Sequence, residues 1–522
     1  MHPRQPETGE RRTMQSWTEG YVGGIDYIRN FYREMSPSLI AFSLVLKGWR
    51  PPPGLAAGRF DYAELGCGYG LTSTVLAGAC PQARFTALDF NPTHIAAARR
   101  LAGEAGLENT VFLEESFADY TRSDGPQFDV IALHGIWSWI SAGNRAVLVE
   151  LLRRKLRPGG VVFISYNTLP GNLVFQPLRR ILTEHTAGGS GPLPARIAQA
   201  IDFASRAAAL NAGWFATAEG IPSRIESLRR KPANYIAHEY LNSDWTAFYH
   251  ADVARELAGA KLDFAAAAVA LEQYDDLILS AQAQALAAEA TDSAYAETLR
   301  DYLSNRSFRR DLFVKGAERL TESERTERLR DTRFALLSDP ESLPEVVSTP
   351  IGRVPLSPTL YRPLGEALAE GPRSLRDLLR RPALAVHGED QVLRALAMLS
   401  SLSLASPTLD AGTAEGGRSH ADRCNAALMR DHRPGEGTTY LASPVLGTGV
   451  AVSWDEALFL LAARQGEEPA AFAWRHLSAQ GVAFLRDGRR METAEENLEE
   501  LRQRHARFVE RRLPILRTVG AA

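Results

Sequence analysis

The chain has 522 residues, and its 59 basic and 62 acidic side chains leave a formal net charge of −3. This length exceeds what one ordinary hydrophobic core organises, so it predicts about three domains. A near-neutral charge provides no overall attraction to nucleic acid, to anionic lipid or to a strongly acidic substrate. We therefore expect neither a nucleic-acid partner nor a membrane partner.

The cysteines and the first residues bear on the cellular compartment. Cys67, Cys80 and Cys424 lack CxxC spacing, so they predict neither a disulfide framework nor a structural zinc site. The N-terminal residues carry charges without an apolar segment, and nowhere do about 18 uncharged apolar residues follow one another. We expect a cytoplasmic protein that uses no metal.

Residues 1–58 form the first predicted domain, an N-terminal helical segment. Within it, residues 25–48 have the pattern of one helix that ends at Gly48, and three prolines at 51–53 separate this helix from the first strand. We expect the segment to cover one face of a cleft in the next domain.

Residues 59–175 alternate between short apolar runs and helix-patterned runs. The strand-like runs are FDYAEL, RFTALDF, TVFLEE, FDVIALHG and VVFISYN. The helical runs are LTSTVLAGA, PTHIAAARRLAGEAG and NRAVLVELLRRKL, the last predicted to end in Arg157-Pro158-Gly159-Gly160. Such alternation predicts an α/β domain with a Rossmann-like, doubly wound and mostly parallel sheet.

The alternation stops after Asn167, and helical runs rich in Ala, Leu and Arg at 176–250 predict a helical cap inserted into the α/β domain. Two later runs, at 261–271 and 307–316, are predicted as the last strands of the same sheet, which then has seven strands. They lie in a segment, 251–330, that also carries helices.

Residues 331–522 predict a mainly α C-terminal domain. From about Pro350, the order of helix, short helix, longer helix and polar strand suits a winged-helix-like fold. The mixed charge of this region disfavours DNA binding, because specific DNA-binding surfaces concentrate basic residues on one face. We expect the domain to dock a substrate or to form a homodimer.

The strongest local signal is Glu64 followed by glycines at 66, 68 and 70, between the first predicted strand and a helix, where a ligand can approach the backbone. The next strand ends at Asp89, about 20 residues on, the spacing at which a carboxylate reaches ribose hydroxyls. The pattern indicates a nucleoside-containing cofactor. NAD sites use GxGxxG instead, and a tight turn with an incidental acid is the alternative.

The GxGxG pattern resembles motif I of class I S-adenosylmethionine (SAM)-dependent methyltransferases. HGIWSWIS, LRPGG, ISYNTLPGN, HEYLN and FRRDLFVKG together resemble bacterial methyltransferases with a methyltransferase regulatory domain, a group that includes rickettsial protein lysine methyltransferases. The resemblance implies SAM as cofactor, S-adenosylhomocysteine (SAH) as product, and N-methylation of lysines in a protein substrate. A small molecule or a surface glycan is the alternative acceptor, and a non-catalytic SAM sensor that binds a partner or nucleic acid is the second alternative.

Carried onto this chain, the resemblance implies that Gly66, Gly68 and Gly70 line the methionine and ribose of SAM, while Asp89 accepts from the ribose hydroxyls. Phe90 is then expected beside adenine. The other cofactor-binding residues that it implies are Glu64, Asn91, Ser116, Phe117 and His134, with Glu115 or Asp119 as the usual acidic group near adenine.

Tyr166 and Asn167 follow the fifth predicted strand, at the edge where ligands collect in open α/β folds, so both are candidate catalytic residues facing the substrate. His134 is a third candidate, as a general base, because imidazole titrates near neutrality. The alternatives are turn stabilisation for the first two and a local hydrogen bond for the histidine.

Aromatic residues are the candidates for substrate binding. Trp137 and Trp139 predict a wall that attracts a cationic amine or sulfonium, unless one of them belongs to the core. Tyr240, Trp245 and His250 belong to an aromatic and polar cluster of the cap, which either folds over the cleft or forms a packing seam.

Overall fold

The computed structural model describes Ile25 and residues 28–432, 438–486 and 489–522. The chain divides into two compact units. The helical unit contains Val174–Trp245 together with Ile25 and Ile28, and the sheet unit contains Arg29–Leu173 and Thr246–Ala522.

Helix α1, Pro37–Leu46, begins the regular structure of the sheet unit. The predicted helix over 25–48 is wrong for residues 28–36, where a single 3₁₀ turn, Arg33–Met35, precedes an extended Ser36. A proline disfavours helical conformation in the residue before it and suits the first helical position, so Pro37 starts a helix instead of continuing one. The prediction is confirmed for residues 37–46, and residues 26 and 27 lie outside the described residues.

Five strands and four helices then alternate. They are β1 (Asp61–Leu65), α2 (Leu71–Ala79), β2 (Arg84–Asp89), α3 (Pro92–Glu104), β3 (Thr110–Glu114), α4 (Phe117–Arg122), β4 (Phe128–Leu133), α5 (Ala142–Lys155) and β5 (Leu156–Asn167). The sequence predicts all five strands and three of the helices, and α4 is the one it missed. Helix α5 ends directly before Arg157-Pro158-Gly159-Gly160, as predicted, but the chain enters β5 at Leu156, ahead of the predicted VVFISYN run. The pairing register between β4 and β5 shifts there, and such an irregularity tolerates proline and glycine in a strand.

The described part of the helical unit contains five helices around a core of its own. They are α6 (Gln176–Gly188), α7 (Leu193–Ala209), α8 (Trp214–Thr217), α9 (Ile221–Arg229) and α10 (Ala233–Tyr240). Apolar residues at helical spacing, such as Leu178 and Leu182 on α6 and Ile197 and Ile201 on α7, are buried together.

The chain then adds two strands to the sheet unit. The elements are α11 (His250–Ala258), β6 (Asp263–Ala267), α12 (Ala281–Ala287), α13 (Ser293–Ser304) and β7 (Phe308–Val314). Seven strands form one sheet in the order β3-β2-β1-β4-β5-β7-β6. Strand β7 is antiparallel to both neighbours, and the other pairs are parallel. The predicted seven-stranded, mostly parallel, Rossmann-like sheet is confirmed.

Alternate residues of a strand point to opposite faces of the sheet, and this parity decides what each residue of β5 and β7 contacts. Phe163 and Leu312 lie in the core that includes α1 and α2. Ile164 and Phe313 lie in the opposite core, with α5 and α11. We call these two sides the α1 face and the α5 face.

A small fold follows α14 (Glu322–Asp331). Its elements are β8 (Arg333–Leu336), β9 (Val346–Thr349), β10 (Gly352–Pro355), α15 (Pro358–Ala369), β11 (Arg373–Ser374), α16 (Leu375–Leu379), α17 (Pro382–Ala385), α18 (Glu389–Ser401) and β12 (Ala405–Pro407). An antiparallel sheet in the order β11-β8-β12 shares a core with α15, α16 and α18, and α1 contributes to that core. Helices on a small antiparallel sheet agree with the winged-helix-like prediction.

The last segment belongs to the core of the large sheet. Its elements are α19 (Ala411–Arg430), β13 (Thr438–Ser443), β14 (Thr448–Ser453), α20 (Trp454–Gln465), α21 (Pro469–Ser478), β15 (Leu485–Arg486), β16 (Arg489–Arg490), α22 (Ala494–Arg507) and, after a π-helical turn at Phe508–Arg512, α23 (Leu513–Thr518). A Cβ built on Gly78 of α2 would lie 2.5 Å from Sγ of Cys424 on α19. Residues 331–522 are therefore not one separate domain, because their second half is buried against α2.

Candidate active site

The turn between β1 and α2 favours glycine at three of its five positions. Gly66, Gly68 and Gly70 adopt φ values of +74°, +53° and +68°, a region that residues with a Cβ rarely occupy. A Cβ on Gly66 would lie 2.2 Å from Cδ1 of Ile136, and one on Gly70 would lie 2.4 Å from the ring of Phe112. We call residues 66–70 the glycine loop.

Glu64 fixes the helix behind the glycine loop. Its side chain is buried, and Oε2 accepts from the backbone N–H of Ser73 at 3.1 Å and from the Ser73 hydroxyl. Burial raises the pKa of Glu64 to about 7. This bond holds the first turn of α2 against β1, and the expected contact between Glu64 and the cofactor stays a prediction.

Asp89, at the end of β2, is tied to the glycine loop. Its Oδ2 accepts from the backbone N–H of Gly68 at 2.9 Å, and its Oδ1 accepts from the backbone N–H of Asn91 at 2.9 Å. Asn91 caps α3 by accepting from the backbone N–H of Thr93 at 2.9 Å. Each carboxylate oxygen has two lone pairs, so Asp89 can also accept from ribose hydroxyls.

The ends of β2 and β3 add the remaining predicted cofactor residues. Phe90 is half-buried directly after Asp89. Ser116 caps α4, accepting from the backbone N–H of Asp119 at 3.1 Å and donating to its carboxylate at 2.6 Å. The ring of Phe117 lies 3.9 Å from the position of a Cβ on Gly66, beside the glycine loop. A loop that excludes side chains, a carboxylate with spare lone pairs and a neighbouring aromatic ring fit a nucleoside cofactor.

His134 follows β4 and faces a cavity on the α1 face. Its ring stacks on Tyr32 with centroids 3.6 Å apart and an interplanar angle of 18°, and Phe308 lies 6.2 Å away. Burial lowers the pKa of His134 to about 4, so the imidazole is neutral near pH 7. Among the described residues, its Nδ1 has no hydrogen-bond partner.

The cavity has a volume of about 440 Å³ and is called the His134 cavity below. Its lining includes Tyr32, Glu34, Phe308, Arg310 and Tyr440. Tyr32 ties the cavity to α2, because its backbone N–H donates to the hydroxyl of Thr72 in the first turn of that helix at 3.3 Å.

Asn167 is the second predicted catalytic residue on the α1 face. It pairs in register with Phe308 of β7, which lines the His134 cavity. Its backbone N–H donates to the Ser138 hydroxyl at 2.9 Å, and its carbonyl accepts from the N–H of Phe248 at 2.9 Å. The side-chain Nδ2 is buried and has no hydrogen-bond partner among the described residues.

Tyr166 lies on the α5 face, so its predicted place toward the substrate is wrong. The phenol is fully buried, donates to Asp311 Oδ2 at 2.7 Å and lies 3.1 Å from Nδ1 of His250. Arg309, also fully buried, bonds Asp311 at 2.9 Å, Asp301 at 2.9 Å and Glu297 at 2.7 Å. We call these six side chains the Arg309 network.

His250, predicted to bind substrate, belongs to the same network and is buried completely. Trp137, predicted as part of a substrate wall, is also buried completely in the core of the α5 face, whereas Trp139 is half-buried. In the helical unit, the hydroxyl of Tyr240 accepts from Arg224, and Arg179 lies 5.1 Å above the ring of Trp245.

Several lining residues of the His134 cavity escaped sequence analysis. Tyr32 and Glu34 stand in a segment predicted as a covering helix, and Arg310 is not among the predicted site residues. The alternation of β7 could have separated the neighbours Arg309 and Arg310, since the first lies on the α5 face and the second on the α1 face. The ion pair between Arg310 and Glu34 at 2.5 Å had no local signal.

Two observations concern metals and membranes. Within residues 28–432, 438–486 and 489–522, no three His, Cys, Asp or Glu side chains come together as a metal site. No helix in this described part of the chain is long and apolar enough to cross a membrane.

Comparisons with known proteins bear on both the site and the fold. Residues 63–160 match the family described as methyltransferase domain, and residues 232–315 match the predicted methyltransferase regulatory domain. A protein of Synechocystis sp. described as uncharacterized is 37% identical over 505 residues, which cover 97% of this chain and 99% of the relative. PKMT2 from Rickettsia typhi in complex with AdoHcy superposes with a TM-score of 0.71 at 16% identity, over 95% of this chain and 100% of that chain. A trans-aconitate 2-methyltransferase of Methylobacterium nodulans is 28% identical over 148 residues, 28% of this chain and 52% of that enzyme.

Proposed function

Because the chain belongs to the family of methyltransferases that join a methyltransferase domain to a methyltransferase regulatory domain, we propose that it methylates lysine side chains of a protein substrate. The chain is a SAM-dependent methyltransferase. The resemblance to rickettsial lysine methyltransferases and the fold shared with PKMT2 support the lysine acceptor. The observation that carries the proposal is the His134 cavity, which Tyr32 ties to the first turn of α2, the helix that follows the glycine loop.

The residues of the site divide into those that hold the cofactor and those that hold the acceptor. SAM, when bound, supplies a methyl group on a sulfonium that a nucleophile displaces in line. The glycine loop provides backbone that a ligand can approach, and Asp89 provides acceptors for ribose hydroxyls. Glu64 and Ser73 keep the start of α2 in place, so the loop is held before any ligand arrives.

Methyl transfer to lysine requires the neutral amine. The rings of Tyr32, Phe308 and Tyr440 line the His134 cavity, and desolvation there lowers the pKa of an entering lysine. His134 stays neutral, since burial lowers its pKa to about 4, and it adds no positive charge beside a sulfonium. The imidazole and the Asn167 amide are then positioning groups, because each can hydrogen-bond the amine without removing its proton.

The proposal is tested by incubating the chain and radiolabelled SAM with a cell lysate. We expect label in protein and, after acid hydrolysis, in methylated lysine. Asp89→Ala should abolish the label, whereas Asp124→Ala, at an exposed acid outside the site, should leave it unchanged. Absence of labelled lysine while SAM binds normally would exclude this acceptor.

A small acceptor is the second candidate. A volume of about 440 Å³ is within the range of sites that enclose small ligands. The similarity to a trans-aconitate 2-methyltransferase, which covers 28% of this chain, also favours it. Label transfer to a deproteinised extract, without transfer to protein, would replace the lysine proposal with this one.

A further inference from the structure

We infer that the acceptor carries an anionic group, a carboxylate or a phosphate, which Arg33 and Arg512 bind in the His134 cavity. The inference rests on the proposed methyl transfer in this cavity and adds the chemical class of the acceptor. It follows from the charges in the lining and from how many of them the chain itself neutralises.

The described lining of the His134 cavity contains three arginines and one acid. Arg310 is neutralised by Glu34 at 2.5 Å and by Glu272 at 3.0 Å. Glu34 is the acid of the lining, so its charge is already paired. Arg33 and Arg512 therefore give the cavity an excess of positive charge.

Arg33 is bonded only to neutral groups among the described residues. Its Nη1 donates to the carbonyl of Ser400 and its Nη2 to the carbonyl of Ala405 at 2.9 Å. Its Nε is buried without a hydrogen-bond partner. Burial lowers the pKa of Arg33 to about 10, although the charge of the neighbouring Glu34 opposes this shift.

Arg512 reaches the same cavity from the other end of the chain. It closes the π-helical turn Phe508–Arg512, and such turns often occur at functional positions. Its guanidinium donates to the carbonyls of Leu337 and Ala451, the latter at 2.6 Å. The ion pair to Glu456 is long, at 3.9 Å, and burial lowers the pKa of Arg512.

A partly buried cation whose short hydrogen bonds go to carbonyls is costly, and proteins generally pair such charges closely. An anion between the two guanidinium groups would supply the missing charge. Arginine is well suited to this role because its planar donors match the oxygens of carboxylate and phosphate. The alternative is that both arginines serve only to tie chain segments together through backbone carbonyls.

A second groove adjoins the His134 cavity. Ser403 lines the cavity with a φ of +59° directly after α18, where the N–H of Leu404 donates to the carbonyl of Leu399 at 2.9 Å, so this left-handed residue ends the helix. Leu337, Ser403 and Arg512 also line a second groove of about 710 Å³, so the two spaces adjoin at Arg512. An acceptor entering through this groove would place its anion beside Arg512.

The anionic group can belong to either of two kinds of acceptor. In a protein substrate, the anion is an acidic residue next to the acceptor lysine. In a small acceptor, it is a carboxylate or phosphate of the molecule that is methylated. Both place an anion and a nucleophile together in one cavity.

The first experiment titrates glutarate and inorganic phosphate into the SAH-saturated chain at constant ionic strength. We expect saturable binding of at least one anion, weakened about tenfold or more in Arg33→Gln and Arg512→Gln, because each removes a charged hydrogen bond. Arg507→Gln, at an exposed arginine of the adjoining groove, is the matched control and should bind as wild type does. Absence of saturable binding, or equal binding by all variants, would overturn the inference.

Melting temperature and SAH affinity of each variant separate binding from folding. If the arginines only tie segments together, the glutamine variants melt earlier but bind anions normally, and the inference is wrong. Should a glutamine variant fail to bind SAH, Arg33→Lys or Arg512→Lys replaces it. These variants keep the charge but lose the paired donors, so we expect weakened anion binding with SAH affinity retained.

A second experiment identifies the source of the anion and separates the inference from the lysine proposal. Peptides with a lysine flanked by Glu or by Gln are compared as acceptors of labelled methyl groups. Faster labelling of the Glu peptide supports an acidic protein segment. If no peptide is labelled while glutarate binding still depends on both arginines, the inference holds for a small acceptor and the lysine proposal fails.

Discussion

Replacing Gly66 with alanine places one methyl group where the structure leaves no room. The new Cβ would lie 2.2 Å from Cδ1 and 2.9 Å from Cγ1 of Ile136. The residue must also keep a φ of +74°. Gly66→Ala therefore combines an unfavourable backbone conformation with a steric collision. A second glycine of the chain allows the two costs in unfolding free energy to be measured separately.

The backbone penalty is about 1–2 kcal/mol, the cost of a left-handed conformation for a residue with a Cβ. Relieving the contact with Ile136 costs about 1–3 kcal/mol more, as other overpacked sites do. Gly159→Ala is the matched control, because its φ is +80° and a Cβ there would meet nothing within 4 Å. We expect Gly66→Ala to lower the free energy of unfolding by about 2–5 kcal/mol. Gly159→Ala should lower it only by the backbone penalty of about 1–2 kcal/mol.

Urea unfolding of both variants and of Ile136→Ala completes a double-mutant cycle. The pair Gly66→Ala with Ile136→Ala should recover about 1–3 kcal/mol, since the shortened side chain removes the collision. SAH affinity, measured by calorimetry, should fall in Gly66→Ala and return partly in the pair. A coupling energy within about 0.5 kcal/mol of zero would refute the steric argument.

Asp89→Ala should weaken SAH binding roughly 10- to 100-fold in calorimetry, because a hydrogen bond to a charged group contributes about 1.5–3 kcal/mol; unchanged affinity would remove Asp89 from the site. Arg309→Met leaves buried carboxylates without their cation and should cost about 3–5 kcal/mol in urea unfolding, so a loss below about 1 kcal/mol would contradict the network. Although burial opposes the shift, Arg309 and Arg300 lower the pKa of Glu297 from 4.5 to about 2. The stability that this depressed pKa contributes is therefore complete at neutral pH and is lost as the pH falls from about 5 toward 2. Glu297→Gln should flatten this part of the curve of unfolding free energy against pH, and an identical curve would exclude the carboxylate. Trp137→Ala should cost about 3–5 kcal/mol of stability, with the SAH affinity of the folded fraction unchanged, and selective loss of acceptor methylation would restore its predicted role.

The parts of the fold that could be predicted are those with local signals. Strands β1 to β5 are short apolar runs separated by helix-patterned runs, and Asp89 stands at a fixed spacing after the glycine loop. The helix over 25–48 failed because apolar periodicity continued across Pro37 while the backbone could not. There the local rule for proline outweighed the pattern.

The parts of the site that could not be predicted depend on parity and on distant contacts. Tyr166 and Asn167 are adjacent, so the pleat sends one to the α5 face and the other toward the His134 cavity. No feature of the local sequence indicates which of the two residues lies on which face of the sheet. Arg33 and Arg512 meet one cavity from opposite ends of the chain, and α19 covers α2 from more than 300 residues away. Such contacts come from the assembled fold.

The burial of α2 under α19 has a consequence for synthesis on the ribosome. The glycine loop and α2 are made early, but the segment that covers them follows more than 300 residues later. At roughly 5–20 residues per second, the apolar side of α2 stays uncovered for some tens of seconds. The nascent chain should therefore depend on chaperones during this interval, and the cofactor site can mature only after translation of the last helices.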